Sequence, residues 1–240
     1  MVSIKLAVIL AGGLGLRLRP LTNIIPKPLL PIGESTVLEI QILSLRKYGV
    51  EKVIIAANYM SDYLAAVVGS GAKYGVRVVV SQEKEPLGTC GPLTLVGEHL
   101  QEPFFMMNGD ILTDINFGEL GAFALAKRAW LTVVTKEIAI PFRFGRVIAD
   151  GDFITEIEEK PNYLQEILAG IYVMQPEILG LIPRSTYFGI DSLIKSMIAK
   201  HHPVCKYLMH DYWIDIGQLS DYELAKQDFD ARSLQAKTSV

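Results

Sequence analysis

Cysteine is scarce in this chain, with only Cys90 and Cys205 among 240 residues and no metal-ligand spacing between them. That excludes a disulfide framework and a cysteine-built zinc site, and it leaves two thiols expected to be free and buried in a reducing compartment. Long apolar runs are missing as well. The N-terminal run follows a single lysine and breaks at glycine, too short for a membrane span and wrongly flanked for a signal peptide, so a cytoplasmic location is expected. Charge of one sign is not in excess either: the net charge is −3. Nothing global therefore favours nucleic acid or an anionic membrane as a partner. The four histidines show no metal-type pairing, and the sequence carries no internal repeat, low-complexity tract or Ser-His-Asp set.

What is present is an ordinary globular composition, 50% hydrophobic and 20% charged, in a chain long enough for a substantial core. One stretch stands apart, LAVILAGGLGLRLRPLTNIIPKPLLP from Leu6 to Pro31. It opens on an apolar run suited to a strand buried on both faces. Leu10 and Ala11 then lead into Gly12, Gly13 and Gly15, which let backbone N–H groups approach a phosphate. Arg17, Arg19 and Lys27 follow, and no Asp or Glu occurs before Glu34. The arrangement suits a polyphosphate. It is not the G-x-x-x-x-G-K-[ST] loop, because no Lys-Ser or Lys-Thr follows, and Leu18 stands where a dinucleotide fingerprint needs its third glycine. Pro20, Pro26, Pro28 and Pro31 further keep a helix from opening there.

Along the rest of the chain, strands are expected at Val53–Ala57, Val76–Val80, Phe104–Met107 and Leu131–Thr135. Helices are expected at Thr36–Tyr48, Asp62–Val68, Leu93–Leu100 and Phe117–Lys127. Alternation of this kind predicts an α/β fold, a Rossmann-like, mainly parallel sheet covered by helices on both faces. Asp150-Gly151, between Gly145–Ala149 and Phe153–Glu158, then signals an antiparallel hairpin insertion. Residues 138–144 before it read as a loop able to cover a site. A strand at Ile167–Met174, a helix at Ser192–Lys200, strands at Val204–Leu208 and Tyr212–Ile216, and a helix at Ser220–Phe229 complete the reading.

Ligands of open α/β sheets bind beyond the carboxyl ends of the strands. The glycines follow the first strand, Asn108-Gly109-Asp110 the fourth, and Asp215 lies in YWIDIG near the end. Two acids beside a triphosphate loop suggest Mg²⁺, which takes few carboxylates and completes its shell with phosphate oxygens and water. After the third strand comes QEKEPLGT, Gln82 to Thr89. Pro86 and Gly88 make it a turn, and EPLGTCGPL resembles the base-recognition loop of the sugar-nucleotidyltransferase family. That resemblance implies a base at Glu83, whose carboxylate could accept the adjacent N1–H and N2–H of guanine; a shift of one residue would bring Gln82 there instead.

With GGLGLRLRPLT, PKPLLP, EPLGTCGPL, EEKP and YWIDIG in that order, the chain resembles the sugar-nucleotidyltransferase family over nearly its whole length, closest to the guanylyltransferase branch. The resemblance implies that an NTP, GTP favoured, and a sugar 1-phosphate give an NDP-sugar and pyrophosphate. Uridylyl, thymidylyl or cytidylyl transfer and a non-catalytic NDP-sugar-binding homologue are the alternatives. It further implies Arg17, Lys27 and Lys160 as catalytic residues, and Asp110 and Asp215 as holders of Mg²⁺. The nucleotide falls to Leu10, Ala11, Gly12, Gly13, Gly15, Gln82, Glu83, Pro86, Leu87, Gly88 and Thr89. Sugar contacts fall to Asn108, Gly109, Gly145, Glu159, Lys160, Ala169 and Gly170, and the resemblance admits a homo-oligomer. On this reading residues 1–230 form one domain, with a nucleotide half to about 135, a sugar half from about 136 and a frayed tail at 231–240. No β-helix extension or acetyl transfer is expected after it. Two letters depart from the family pattern, Leu16 for a Thr and Leu168 for an Asn.

Overall fold

The computed structural model describes residues 3–238, with side chains described as far as Ala231. The first apolar run forms strand β1 (Leu6–Leu10), followed by three single 3₁₀ turns at Leu16–Leu18, Leu21–Asn23 and Lys27–Leu29. The prolines thus prevent an α-helix, as expected, while leaving room for these tighter turns. A two-residue pair, β2 (Pro31–Ile32) and β3 (Ser35–Thr36), leads into α1 (Val37–Lys47). The Thr36 hydroxyl accepts from the Glu39 N–H and the Glu39 carboxylate accepts from the Thr36 N–H, a reciprocal cap worth about 1 kcal/mol.

The chain continues through β4 (Lys52–Ala57), α2 (Ser61–Val68), β5 (Arg77–Gln82), β6 (Phe104–Asn108), β7 (Ile111–Thr113) and α3 (Phe117–Lys127). The helix expected at Leu93–Leu100 is not α-helical. Pro92 starts and Gly97 interrupts it, leaving 3₁₀ turns at Gly91–Leu95 and Gly97–His99. Next come β8 (Leu131–Pro141), β9 (Arg146–Asp150), β10 (Phe153–Glu158) and β11 (Asn162–Met174). The segment expected to be a loop from residue 138 is instead strand as far as Pro141, because Asn162–Gln165 of β11 pairs with it residue by residue. The hairpin at Asp150-Gly151 is present, with Phe153 opposite Asp150. The last elements are α4 (Ile190–Ala199), β12 (Val204–Met209), β13 (Trp213–Asp215) and α5 (Leu219–Thr238). The final helix outruns the expected Phe229, so residues 231–238 of the expected tail are helical, and residues 239–240 lie outside the described residues.

Seven strands form one sheet in the order β12-β8-β11-β6-β1-β4-β5. The β1, β4, β5 and β6 pairings are parallel, as is β12 with β8, while β11 runs antiparallel to both β6 and β8. Side chains alternate across the sheet. Ala7, Ile9, Val53, Ile55, Phe105 and Met107 pack under α1, α2 and α3. Leu6, Val8, Ile54, Phe104 and Met106 face the other way, toward α4 and the 3₁₀ turns. A third cluster ties α5 to the front of the molecule, with Tyr222 and Ala225 against Leu18, Leu30 and Ile32. Beyond Lys136, where β12 ends its pairing, β8 and β11 run on as an exposed two-stranded arm beside the β9–β10 hairpin. No helix among the described residues is long and apolar enough to cross a membrane.

Candidate active site

Parallel register sets the floor of the site. Leu10 lies beside Ala56 on one side and Asn108 on the other, so β1, β4 and β6 end together. The chain leaves each strand tightly: the Ala11 N–H donates to the Ala56 carbonyl at 2.7 Å and the Gly109 N–H to the Leu10 carbonyl at 2.8 Å. A Cβ at Gly109 would come within 2.7 Å of that Leu10 oxygen, so glycine is required for this crossing. Gly15 sits at φ +60° with its carbonyl held by the Thr22 hydroxyl at 2.8 Å. Leu16, the departure from the family pattern, is 55% exposed and buries nothing in the core.

Above these strand ends lies a cleft of about 290 Å³ lined by Leu10, Gly12, Gly13, Glu83, Pro86, Leu87, Gly88, Thr89, Pro92, Asn108, Asp110 and Tyr187. Nine of the residues singled out for a nucleotide or its metal in the sequence therefore share one cavity, which Asn108 also lines, while Ala11, Gly15 and Asp215 do not line it. Glu83 is 5% exposed, whereas neighbouring Gln82 is exposed and does not line the cleft. The Glu83 carboxylate accepts from the Leu87 N–H at 3.1 Å, while the Asn58 amide holds the Glu83 carbonyl at 3.2 Å. Burial pushes its carboxyl above the ordinary carboxylate value, against the lowering effect of the Leu87 N–H. Its other oxygen would stand 2.9 Å from a Cβ on Gly12, so that glycine makes room for the acid.

The charged end of the site is assembled by a ladder that sequence reading missed. β13 pairs antiparallel with β7, setting Asp215 opposite Ile111, and the Ile216 N–H donates to the Asp110 carbonyl at 2.9 Å. Lys27 donates to Asp110, and its Nζ lies 3.9 Å from Asp215. Arg17 closes the group from the glycine side, its guanidinium 3.4 Å from where a Cβ on Gly217 would be. Burial, and then the charge of Asp110, raise the Asp215 carboxyl, opposed by Lys27 and Arg17. One buried oxygen of each acid, Asp110 Oδ1 and Asp215 Oδ1, has no hydrogen-bond partner. Two converging carboxylates with an unfilled oxygen apiece fit a hard divalent cation. Among the described residues no three His, Cys, Asp or Glu gather into a fuller cage, so the remaining oxygens would come from outside the protein.

Gln41 supports this end. It is 3% exposed on the inner face of α1 and donates to the carbonyls of Asn108 at 2.9 Å and Ile111 at 2.8 Å, bracketing Asp110. Its signal in the sequence was a polar residue at a buried helical position. On the β11 side, Gly170 at φ +70° leaves space for Asn108, whose amide nitrogen would be 2.7 Å from an added Cβ. The Trp213 indole donates to the Ala169 carbonyl at 2.8 Å. Leu168 marks the start of a register shift between β11 and β8 and is 46% exposed. Gly145, Glu159 and Lys160 form a separate group on the exposed arm and do not line the cleft. There a Cβ on Gly145 would lie 3.2 Å from Glu159, and Lys160, at φ +46°, reaches Glu159 at 3.6 Å.

Neither cysteine takes part. Both are free, and burial pushes the Cys90 thiol up to about 12, which makes it inert. Cys205 is only half-buried, short of the burial expected, and meets the Thr132 hydroxyl at 3.1 Å.

The family described as nucleotidyl transferase matches residues 6–232. The mannose-1-phosphate guanylyltransferase catalytic subunit beta of Danio rerio is 37% identical over 90% of this chain and 62% of its own length. The mannose-1-phosphate guanyltransferase of Candida albicans is 35% identical over 89% of this chain and 61% of its own. The chain thus spans about three-fifths of these relatives. Among solved structures, HddC from Yersinia pseudotuberculosis complexed with GMP-PN superimposes with a TM-score of 0.75 at 28% identity, covering 94% of this chain and all of that one.

Proposed function

This chain belongs to the nucleotidyl transferase family, and from that premise we propose that it transfers a guanylyl group from GTP to a sugar 1-phosphate, giving GDP-sugar and pyrophosphate. The observation that carries the reading is a single cleft with a buried carboxylate in its wall and two acids with two cations at its end. Mannose 1-phosphate is the acceptor to try first, since the named relatives are mannose-1-phosphate guanylyltransferases.

Glu83 accepts the N1–H and N2–H of guanine, and an ionised carboxylate suits two adjacent donors. The exposed position of Gln82 argues against the pyrimidine reading that would use it. Leu10 to Gly13 and Gly15 carry the phosphate chain over their backbone. A sugar phosphate oxygen attacks the α-phosphorus in line, the bond to the bridging oxygen of the β-phosphate breaks, and pyrophosphate leaves with that electron pair. The attacking phosphate is already an anion near neutral pH, so no general base is needed. Arg17 and Lys27 balance charge building on the triphosphate as it is attacked. Asp110 and Asp215 would hold Mg²⁺, which supplies charge neutralisation across the phosphates when bound. Asn108 serves the sugar from the cleft lining, and Gly109, Ala169 and Gly170, which do not line the cleft, hold the backbone beside it. Gly145, Glu159 and Lys160 serve the sugar and its phosphate from the arm.

Pyrophosphate release tests the proposal, measured with mannose 1-phosphate and Mg²⁺ against GTP, UTP, dTTP and CTP in turn. Release fastest with GTP is expected. Fastest release with a pyrimidine nucleotide refutes the base assignment. Binding of GDP-mannose without release from any pair identifies a regulatory homologue instead.

A further inference from the structure

One wall of the cleft belongs to no motif. Residues 186–190 approach α4 and are laced to the loop that carries Gly88. The Phe188 N–H donates to the Leu87 carbonyl at 2.9 Å, and the Phe188 carbonyl accepts from the Cys90 and Gly91 N–H groups at 2.9 and 3.2 Å. The Ile190 N–H donates to the Thr89 hydroxyl at 2.6 Å. Gly88, at φ +77°, allows the approach, for a Cβ there would stand 2.9 Å from the Phe188 carbonyl oxygen. Tyr187 lies inside this lacing. The residue is 71% exposed, yet it lines the same cleft as Glu83.

A tyrosine left that open on a backbone held from both sides has little packing to lose and a flat face to offer. A purine whose edge is taken by Glu83 still has two faces to cover, and base–aromatic stacking is sequence-tolerant and strong. We propose that Tyr187 stacks on the nucleobase, closing the outer wall of the base subsite. The lacing then makes Tyr187 and the Gly88 loop one rigid base-binding unit. This rests on the nucleotide reading above and adds to it a residue that favours the larger ring of a purine over a pyrimidine.

Calorimetric titration of wild type, Tyr187→Ala and Tyr187→Phe with Mg²⁺-GTP, Mg²⁺-UTP and inorganic tripolyphosphate tests it. Tyr187→Ala should raise the Kd for GTP roughly tenfold to a hundredfold, and less for UTP, while tripolyphosphate binding stays unchanged. Tyr187→Phe should bind like wild type. Equal GTP affinity in wild type and Tyr187→Ala overturns the proposal, as does an equal loss for tripolyphosphate. A Phe variant as weak as the Ala variant would mean a hydroxyl contact and likewise overturns stacking. Should wild type bind no nucleoside triphosphate, the nucleotide reading falls too; if it binds and only the variant pattern fails, that reading stands without Tyr187.

Discussion

Replacing Glu83 by glutamine keeps the shape of the side chain and removes its charge, and the structure says why that should be costly. One carboxylate oxygen already accepts from the Leu87 N–H at 3.1 Å, so glutamine must choose which end faces that donor. With its oxygen toward Leu87, its NH₂ meets the two donors of guanine. Turned over, its NH₂ meets the Leu87 N–H. Either way a buried donor faces a donor. Losing a hydrogen bond to a charged group and leaving one donor unpaired costs about 3 kcal/mol, or roughly a hundredfold in Kd for GTP. Uracil presents an acceptor beside its N3–H, so UTP should lose little or gain.

The pH dependence follows from burial, which raises the Glu83 carboxyl above its ordinary value of 4.5. GTP affinity in wild type should fall as pH drops through that raised value, and the glutamine variant should lack this limb. The effect on folding has the opposite sign. A carboxyl with a higher pKa folded than unfolded contributes stability that is present at pH below the unfolded value and lost as pH rises through the folded one. Glu83→Gln should therefore melt no lower than wild type at neutral pH. Calorimetric Kd values for GTP and UTP between pH 5 and 8, with thermal melts, supply the check. A variant that binds GTP as tightly as wild type refutes Glu83 as the reader of the base.

Gly12→Ala would place a methyl 2.9 Å from the Glu83 carboxylate, and displacing that group should weaken GTP roughly tenfold or more without unfolding the protein. Binding unchanged from wild type would show that the acid has room to move. Gln41→Leu strips partners from two buried carbonyls around Asp110, a loss of about 2 kcal/mol, so it should melt several degrees lower and need more Mg²⁺ for half-maximal turnover. An unchanged Mg²⁺ requirement would make Gln41 purely structural. Asp110→Asn or Arg17→Ala should cut turnover by about a hundredfold or more, as for loss of one charge-stabilising group, and near-normal rates in either would remove its assigned role.

Much of this arrangement could be read from the sequence because the information was local. Uninterrupted apolar runs marked β1, β4 and β6, and the glycines, prolines and EPLGT announced turns whatever lay beyond them. The helices expected at Thr36–Tyr48 and Phe117–Lys127 match α1 and α3, which Thr36 and Asn116 cap in the structure. The failures are equally physical. A 3₁₀ turn and an α-helix share an apolar pattern over so short a span, so the helix expected at Leu93–Leu100 proves to be two 3₁₀ turns. The β7–β13 ladder has three residues a side, too few for periodicity, and only tertiary pairing reveals that Asp215 meets Asp110. The choice between Gln82 and Glu83 depended on one residue of register at a strand end, which β5 fixes through its pairing with Ala57. Tyr187 sits in an irregular segment whose hydrogen bonds run to a distant loop, and no spacing rule reaches it.

β11 is thirteen residues of unbroken chain, about 40 Å if fully extended. Its last four residues lie against β6, which delivers Asp110, and its first six build the arm with β8. One strand thus runs between the two ends of the molecule, with an irregularity between Leu168 and Tyr172 where Gly170 takes a positive φ. Lengthening the Asp150-Gly151 turn of the separate β9–β10 hairpin would change only what flanks the arm and leave the distant carboxylate where it is.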